Sequence, residues 1–289
     1  MKYLMKKFLI LFVSVLMPFF ASGQAQINTK KMKIADFQQK VTKIVLPGNS
    51  FYDSAFQEDV ATIWRVTPYE FCTLEEFESL KGSDKYYFMI LTQGQFRKES
   101  EPGLQFLTLV KGGEGAAEGL ESMIEVATVP FAAADSPSGR EITYIPALLD
   151  IIQNYAVASI EKDFSVLGGL SNYATNLSKS AAMDIVLAKE DLSPDTPEAL
   201  LDEMTGSGIQ ILEVDDVDEV AAEGTPNTLV SYVVAPSDPA PGAFCYKLLI
   251  DANTHELFYF RKHRISKKLG CGFLQEDIKR ITASRPKNK

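Results

Sequence analysis

Apolar residues along this chain follow two rhythms. Short β-branched and aromatic runs, KYYFMIL at 85–91 and TLVSYVV at 228–234, read as buried strands. The stretch ITYIPALLDIIQNYAVASI, 142–160, carries its apolar residues on a 3.6-residue period and predicts a helix. From Phe244 to Arg264 the pattern switches to strict alternation. Phe244, Tyr246, Leu248, Ile250, Phe258 and Phe260 share one parity, which predicts a half-buried antiparallel hairpin around Asp251–His255. His255 falls in that turn, where histidine tolerates positive φ.

The pattern repeats. Glu70–Gly82 matches Glu213–Gly224, with Thr73 over Asp216, Glu76 over Glu219 and Phe77 over Val220. Ile44-Val45-Leu46 lies over Ile185-Val186-Leu187, Tyr86–Leu91 over Leu229–Val234, and Pro102-Gly103 over Pro241-Gly242. Thr73 to Glu76 has the form of a capping box, and Asp216 to Glu219 reads as its counterpart with a carboxylate cap. Gly82 and Gly224 are then expected to close those helices in the left-handed region. Each repeat is predicted to run strand, helix, strand, short helix, strand, hairpin, closing helix. The fold class is α/β (α+β): two tandem homologous domains with mixed sheets, at 34–164 and 178–283. LGGLSNYATNLSKS supplies a linker over 165–177, and 284–289 forms a basic tail.

The first 23 residues stand apart. Lys2, Lys6 and Lys7 precede the apolar run FLILFVSVLMPFF, and Ala21-Ser22-Gly23 offers small residues before Gln24. This is the pattern of a cleaved secretory signal, which implies export to the periplasm or beyond. The run is too short to span a bilayer, and no later stretch is long enough. Cleavage removes three lysines and takes the formal charge from -9 to -12. Such an acidic balance disfavours general nucleic-acid binding. The three cysteines, Cys72, Cys245 and Cys271, allow at most one intramolecular disulfide, so stability must rest on apolar burial.

Candidate chemistry is sparse. In a hairpin centred on Thr254, Cys245 and His263 face one another, and an imidazole beside a thiol can generate a nucleophile. No third group or oxyanion hole is evident nearby, so the pair is a catalytic candidate only for an alternative reading as an envelope hydrolase or transferase. The glycine-rich run Gly112–Gly119 follows a strand as a phosphate loop would. Glu114 and Glu118 would repel phosphate, and no crossover helix follows, so it reads as a loop insertion. The acidic cluster Glu213, Asp215, Asp216, Asp218 and Glu219 lacks the glycine and late glutamate of a calcium loop. It suits the first turn of a helix instead. Neither a metal nor a cofactor is expected.

Charge is distributed unevenly. From Arg261 to Lys289 ten cations stand against Glu276 and Asp277, a net of +8, which leaves -20 for the rest of the mature chain. Arg261, Lys262, Arg264, Lys267 and Lys268 form a predicted binding patch for an anionic envelope polymer, lipid headgroups or an acidic protein face. These cations are expected to gather on one side of the second domain.

The layout, with Ile44-Val45-Leu46-Pro47 opening the first unit and Asp251–Leu257 at the last hairpin tip, resembles the α/β domains of cell-envelope assembly proteins. Among these are the curli secretion lipoprotein, the penicillin-binding-protein activator and the amino-terminal domain of the Tol system's propeller protein. In that group the opening strand often ends in proline and the hairpin tip reads D-x-x-T-G-E. Here Ala188 replaces the proline in the second repeat, and His255 the glycine of the tip. The resemblance implies a non-enzymatic scaffold that binds envelope proteins and carries over no catalytic residue. The expectation is a secreted or periplasmic binding protein, with a carrier of a small ligand between the domains as a further alternative.

Overall fold

Two five-stranded mixed sheets with the same strand order form the framework of the computed structural model, which describes residues 34–94, 101–161, 169–174 and 176–286. The predicted signal sequence, residues 162–168 and Lys287 to Lys289 lie outside the described residues. The first sheet contains β1 (Val41–Val45), β2 (Tyr69–Cys72), β3 (Tyr86–Gly94), β4 (Leu104–Lys111) and β5 (Ile124–Ala133), ordered β2-β1-β3-β4-β5. The second contains β6 (Asp184–Ala188), β7 (Ile209–Leu212), β8 (Thr228–Val234), β9 (Phe244–Asp251) and β10 (Leu257–Arg264), ordered β7-β6-β8-β9-β10. In each, the first three strands pair in parallel and the last two add antiparallel.

Helices follow the predicted order. In the first unit they are α1 (Ser50–Ile63), α2 (Leu74–Leu80) and α3 (Arg140–Glu161). The single turn α4 (Leu170–Tyr173) lies in the predicted linker. The second unit has α5 (Glu198–Gly206), α6 (Val214–Ala222) and α7 (Gln275–Ala283). No helix among the described residues is long and apolar enough to cross a membrane.

The capping box at α2 is present. Thr73 Oγ1 accepts from the Glu76 N–H at 3.2 Å, and Glu76 Oε2 accepts from the Thr73 N–H at 2.8 Å. Its expected counterpart is not. Helix α6 has Glu213 at the N-cap with no side-chain cap bond, and Asp216 lies inside the first turn with Glu219 beyond it. The ladders give the reason. Val45 pairs with Cys72 and Ala188 with Leu212, so Thr73 corresponds to Glu213 and the acidic run had been aligned three residues out. The same register sets Glu190, not Ala188, opposite Pro47. Gly224 takes φ +64°, as a helix-closing glycine should, whereas Gly82 does not adopt positive φ.

The hairpin parity also needs one amendment. Cys245 pairs with His263 as expected, and His255 occupies the turn at φ +58°. A bulge between Leu257 and Tyr259 reverses the local alternation, so Leu257 joins the face of Tyr246 and Leu248 while Phe258 turns to the other face. The glycine-rich run forms short 3-10 turns. Ala116, Leu120 and Met123 fold back onto Phe88, Ile90 and Val110, so the insertion covers one face of the first sheet.

The most consequential element is α3. Its period predicts one buried face, yet residues 147–153 are buried without interruption. One side packs on α1 and β5, the other against α6 of the second unit. A single apolar core therefore runs from Tyr87 and Phe131 through Leu148 and Ile152 to Tyr232 and Leu248. The predicted boundary between the repeats is not a boundary in the core. Replacing Thr73 by Ala is expected to lower stability by about 1 kcal/mol, and Asp216 by Ala to change it by less than about 0.5 kcal/mol, in urea unfolding. Equal losses at the two positions would contradict the cap assignment.

Candidate functional site

Three places gather chemistry: the seam where α3 meets the second sheet, the thiols beneath the second hairpin, and the cationic edge of β10.

The seam is held by Arg140. A cation in the first turn of a helix opposes the helix dipole and needs carboxylates nearby. Its Nε donates to Asp218 Oδ1 at 2.7 Å, Nη1 to Asp191 Oδ1 at 2.7 Å, and Nη2 to the Ser231 carbonyl at 2.9 Å. Tyr144, stacked on Tyr232 with ring centroids 4.1 Å apart, donates to Asp218 and lies beneath the guanidinium. Ser231 Oγ donates to Asp191 Oδ2 at 2.6 Å and accepts from the Ala188 N–H. Burial alone would lower the Arg140 pKa, but Asp191 and Asp218 outweigh it and fix the positive charge. The Asp218 pKa is raised as well, because burial outweighs the opposing pull of Arg140.

Farther along α3, a second cross-link joins the units. Asp150 accepts from Arg65 Nη2 at 2.7 Å, and its other oxygen lies 2.8 Å from His255 Nδ1 at the hairpin tip. The turn histidine thus docks the second sheet onto α3.

Beside Arg140 lies a crevice of about 520 Å³. Ala132, Ser136, Ser138 and Glu141 of the first unit face Glu190, Val214, Val233 and Cys271 of the second. It opens at the carboxyl ends of β6 and β8, where the chain leaves in opposite directions along the sheet. Ligands of open α/β sheets favour such a point. The equivalent crevice of the first unit has about 330 Å³ and is lined by the corresponding Pro47, Leu74 and Leu91. Among the described residues, no segment of the other unit lines it and none of its walls carries a charge.

The predicted catalytic pair is adjacent but enclosed. Cys245 is 0% exposed, and its Sγ accepts from the Gly272 N–H at 3.2 Å. Cys271 packs against the apolar cluster that holds Cys245. The thiol–thiol hydrogen bond, then burial, push Cys245 far up, while the same bond lowers Cys271. Burial also lowers the His263 pKa. This imidazole bonds the Gly270 carbonyl through Nε2 at 2.8 Å, and buried Nδ1 has no partner.

The predicted cationic patch divides between two faces. Arg261 turns inward and bonds Asp277, the buried carboxylate that also holds Lys247 and Tyr259. Lys262 and Arg264 take the other parity. They are exposed, with Lys262 Nζ 5.1 Å and the Arg264 guanidinium 5.2 Å from the centre of the Phe244 ring. No carboxylate pairs with either among the described residues. Lys267 and Lys268 are exposed on the Ser266–Leu269 turn that follows, whereas Arg261 belongs to the inward face. Arg285 is engaged by the carbonyls of Ser180 and Met183. Along the β10 edge a groove of about 640 Å³ runs between Leu177 and α7, walled by Phe260, Lys262 and Arg280.

No family model, curated protein or solved structure matches this chain.

Sequence reasoning missed Arg140 and Asp191, and read Asp218 only as part of an acidic cluster at a helix start. The one available signal was the cation at a helix start, against the dipole preference. Arg140→Ala would leave two largely buried carboxylates without their cation and is expected to cost about 3–5 kcal/mol in urea unfolding. A loss below about 1 kcal/mol would show that water replaces the guanidinium at no structural cost.

Proposed function

We propose that this protein is an exported, non-catalytic binding protein of the bacterial cell envelope, which contacts an anionic partner through the exposed cations of its second unit. The observation that carries this reading is the placement of Lys262 and Arg264. Both are exposed above aromatic faces, neither is neutralised by a carboxylate among the described residues, and Lys267 and Lys268 adjoin them. A desolvated ring beneath a cation offers an anion a charge and a flat apolar surface together. The partner is an envelope protein with an acidic face or an anionic envelope polymer, the class implied by the resemblance to envelope-assembly domains.

A second reading, a carrier of a small ligand, is favoured by the crevice between the units. The hydrolase or transferase reading has less support. A nucleophilic thiol needs a thiolate and an open approach, and Cys245 has its proton held by burial and by Cys271.

Contact through exposed charges weakens as salt shortens the Debye length. The full chain is expected to be retained on beads carrying an anionic envelope polymer at about 50 mM salt and released by about 500 mM. Reversing Lys262, Arg264, Lys267 and Lys268 to glutamate should abolish retention without shifting the thermal midpoint appreciably. Equal retention of the reversed protein, or retention insensitive to salt, would refute the cationic contact.

A further inference from the structure

We propose that Cys245 and Cys271 form a disulfide, with Cys271 meeting the oxidant and Cys245 completing the bond. Cys271 packs against the cluster that holds Cys245, and Cys245 Sγ accepts from the N–H of Gly272, the residue after Cys271, at 3.2 Å. Both sulfurs belong to one small apolar cluster with Ala243 and Ile265.

The segment carrying Cys271 has little room to move away. Gly272 has φ +92°, and a Cβ there would lie 2.6 Å from the Asp191 carbonyl oxygen and 2.8 Å from the Ser193 nitrogen. Phe273 bonds the same strand-like stretch through its N–H to the Asp191 carbonyl at 2.7 Å. The loop is thus pressed against the second unit on one side while Cys271 reaches β9 on the other.

Access fixes the order of events. Cys245 is wholly buried, whereas Cys271 is half-buried and forms part of the wall of the crevice between the units. Electrostatics agree: the neighbouring Cys245 lowers the Cys271 pKa, which favours the Cys271 thiolate. That thiolate attacks one sulfur of a disulfide-bearing oxidant, and the oxidant's other half leaves as a thiolate. Cys245 then loses its proton to that thiolate and attacks Cys271 Sγ, releasing the second half of the oxidant as a thiolate, which takes from solvent the proton that Cys271 gave up on ionising. Two protein thiols are oxidised and one external disulfide is reduced. Cys72 takes no part, since it is buried in the first sheet, where burial pushes its pKa up to about 11.

The closed ring contains all of β10 and the turn bearing Lys267 and Lys268, so oxidation would tether the cationic turn to β9. The bond itself does not depend on what those cations contact.

The test uses the full chain and oxidised glutathione. After exposure, unfolding and thiol titration should find one free thiol, against three in the reduced protein. A digest made without reductant should yield a linked peptide joining Cys245 to Cys271. Cys245→Ala should accumulate a glutathione adduct on Cys271, whereas Cys271→Ala should leave the folded Cys245 unmodified. Three persistent thiols in the unsubstituted protein, or a linkage to Cys72, would overturn the proposal. An adduct forming first on Cys245 would overturn the assigned order.

Discussion

Helix α3 has almost no face left for water, and the rest of the molecule is arranged around that constraint. A helix apolar on one stripe can close a single sheet, but one buried on every side must be enclosed by two layers. The first sheet and α1 supply one layer, and the second sheet with α6 supplies the other. Two repeats with the same strand order therefore share one interior instead of touching at a surface.

The ends of this arrangement differ from its middle. The face of the second sheet that receives α3 corresponds to the face of the first sheet covered by the Gly112–Met123 insertion. At the far end, α7 buries Ile278 and Ile281 while turning Glu276, Lys279 and Arg280 outwards. Stacked repeats need polar or covered termini to stop further stacking. The insertion and α7 give this pair both, which accounts for a glycine-rich run packed on the first sheet and a closing helix of only 9 residues. Buried charge is organised by the same seam. Asp191 meets Arg140 from across it, Asp150 meets the His255 ring from across it and Arg65 from its own unit, and such contacts specify one docking geometry more than they add stability.

Much of the fold was legible because it is local. Alternation exposed the last hairpin down to the facing of Cys245 and His263, and Thr73 with Glu76 marked the helix start at Leu74. Asp216 misled because identity within an acidic run is a weak guide to register. The connection from helix to strand is three residues shorter in the second repeat, between Gly206 and Ile209, than between Ile63 and Tyr69 in the first. Contacts made between elements far apart in the sequence left less trace. Nothing in the spacing of Cys245 and Cys271 reveals that a loop returns one to the other, and the cations from Arg261 onwards look alike until strand parity sends Arg261 inwards and Lys262 outwards.

The shared interior is tested most directly by following both repeats in one unfolding titration. Trp64, the single tryptophan, is buried in the first unit with its Nε1–H on Thr67 Oγ1 at 2.8 Å, so its fluorescence reports that half. Hydrogen exchange at the amides of Leu248 and Leu249 in β9 reports the other. Because α3 cannot be released from one sheet without exposing its contacts with the other, the two signals should change at the same urea concentration. Separate transitions, with one unit unfolding while the other keeps its signal, would contradict the account.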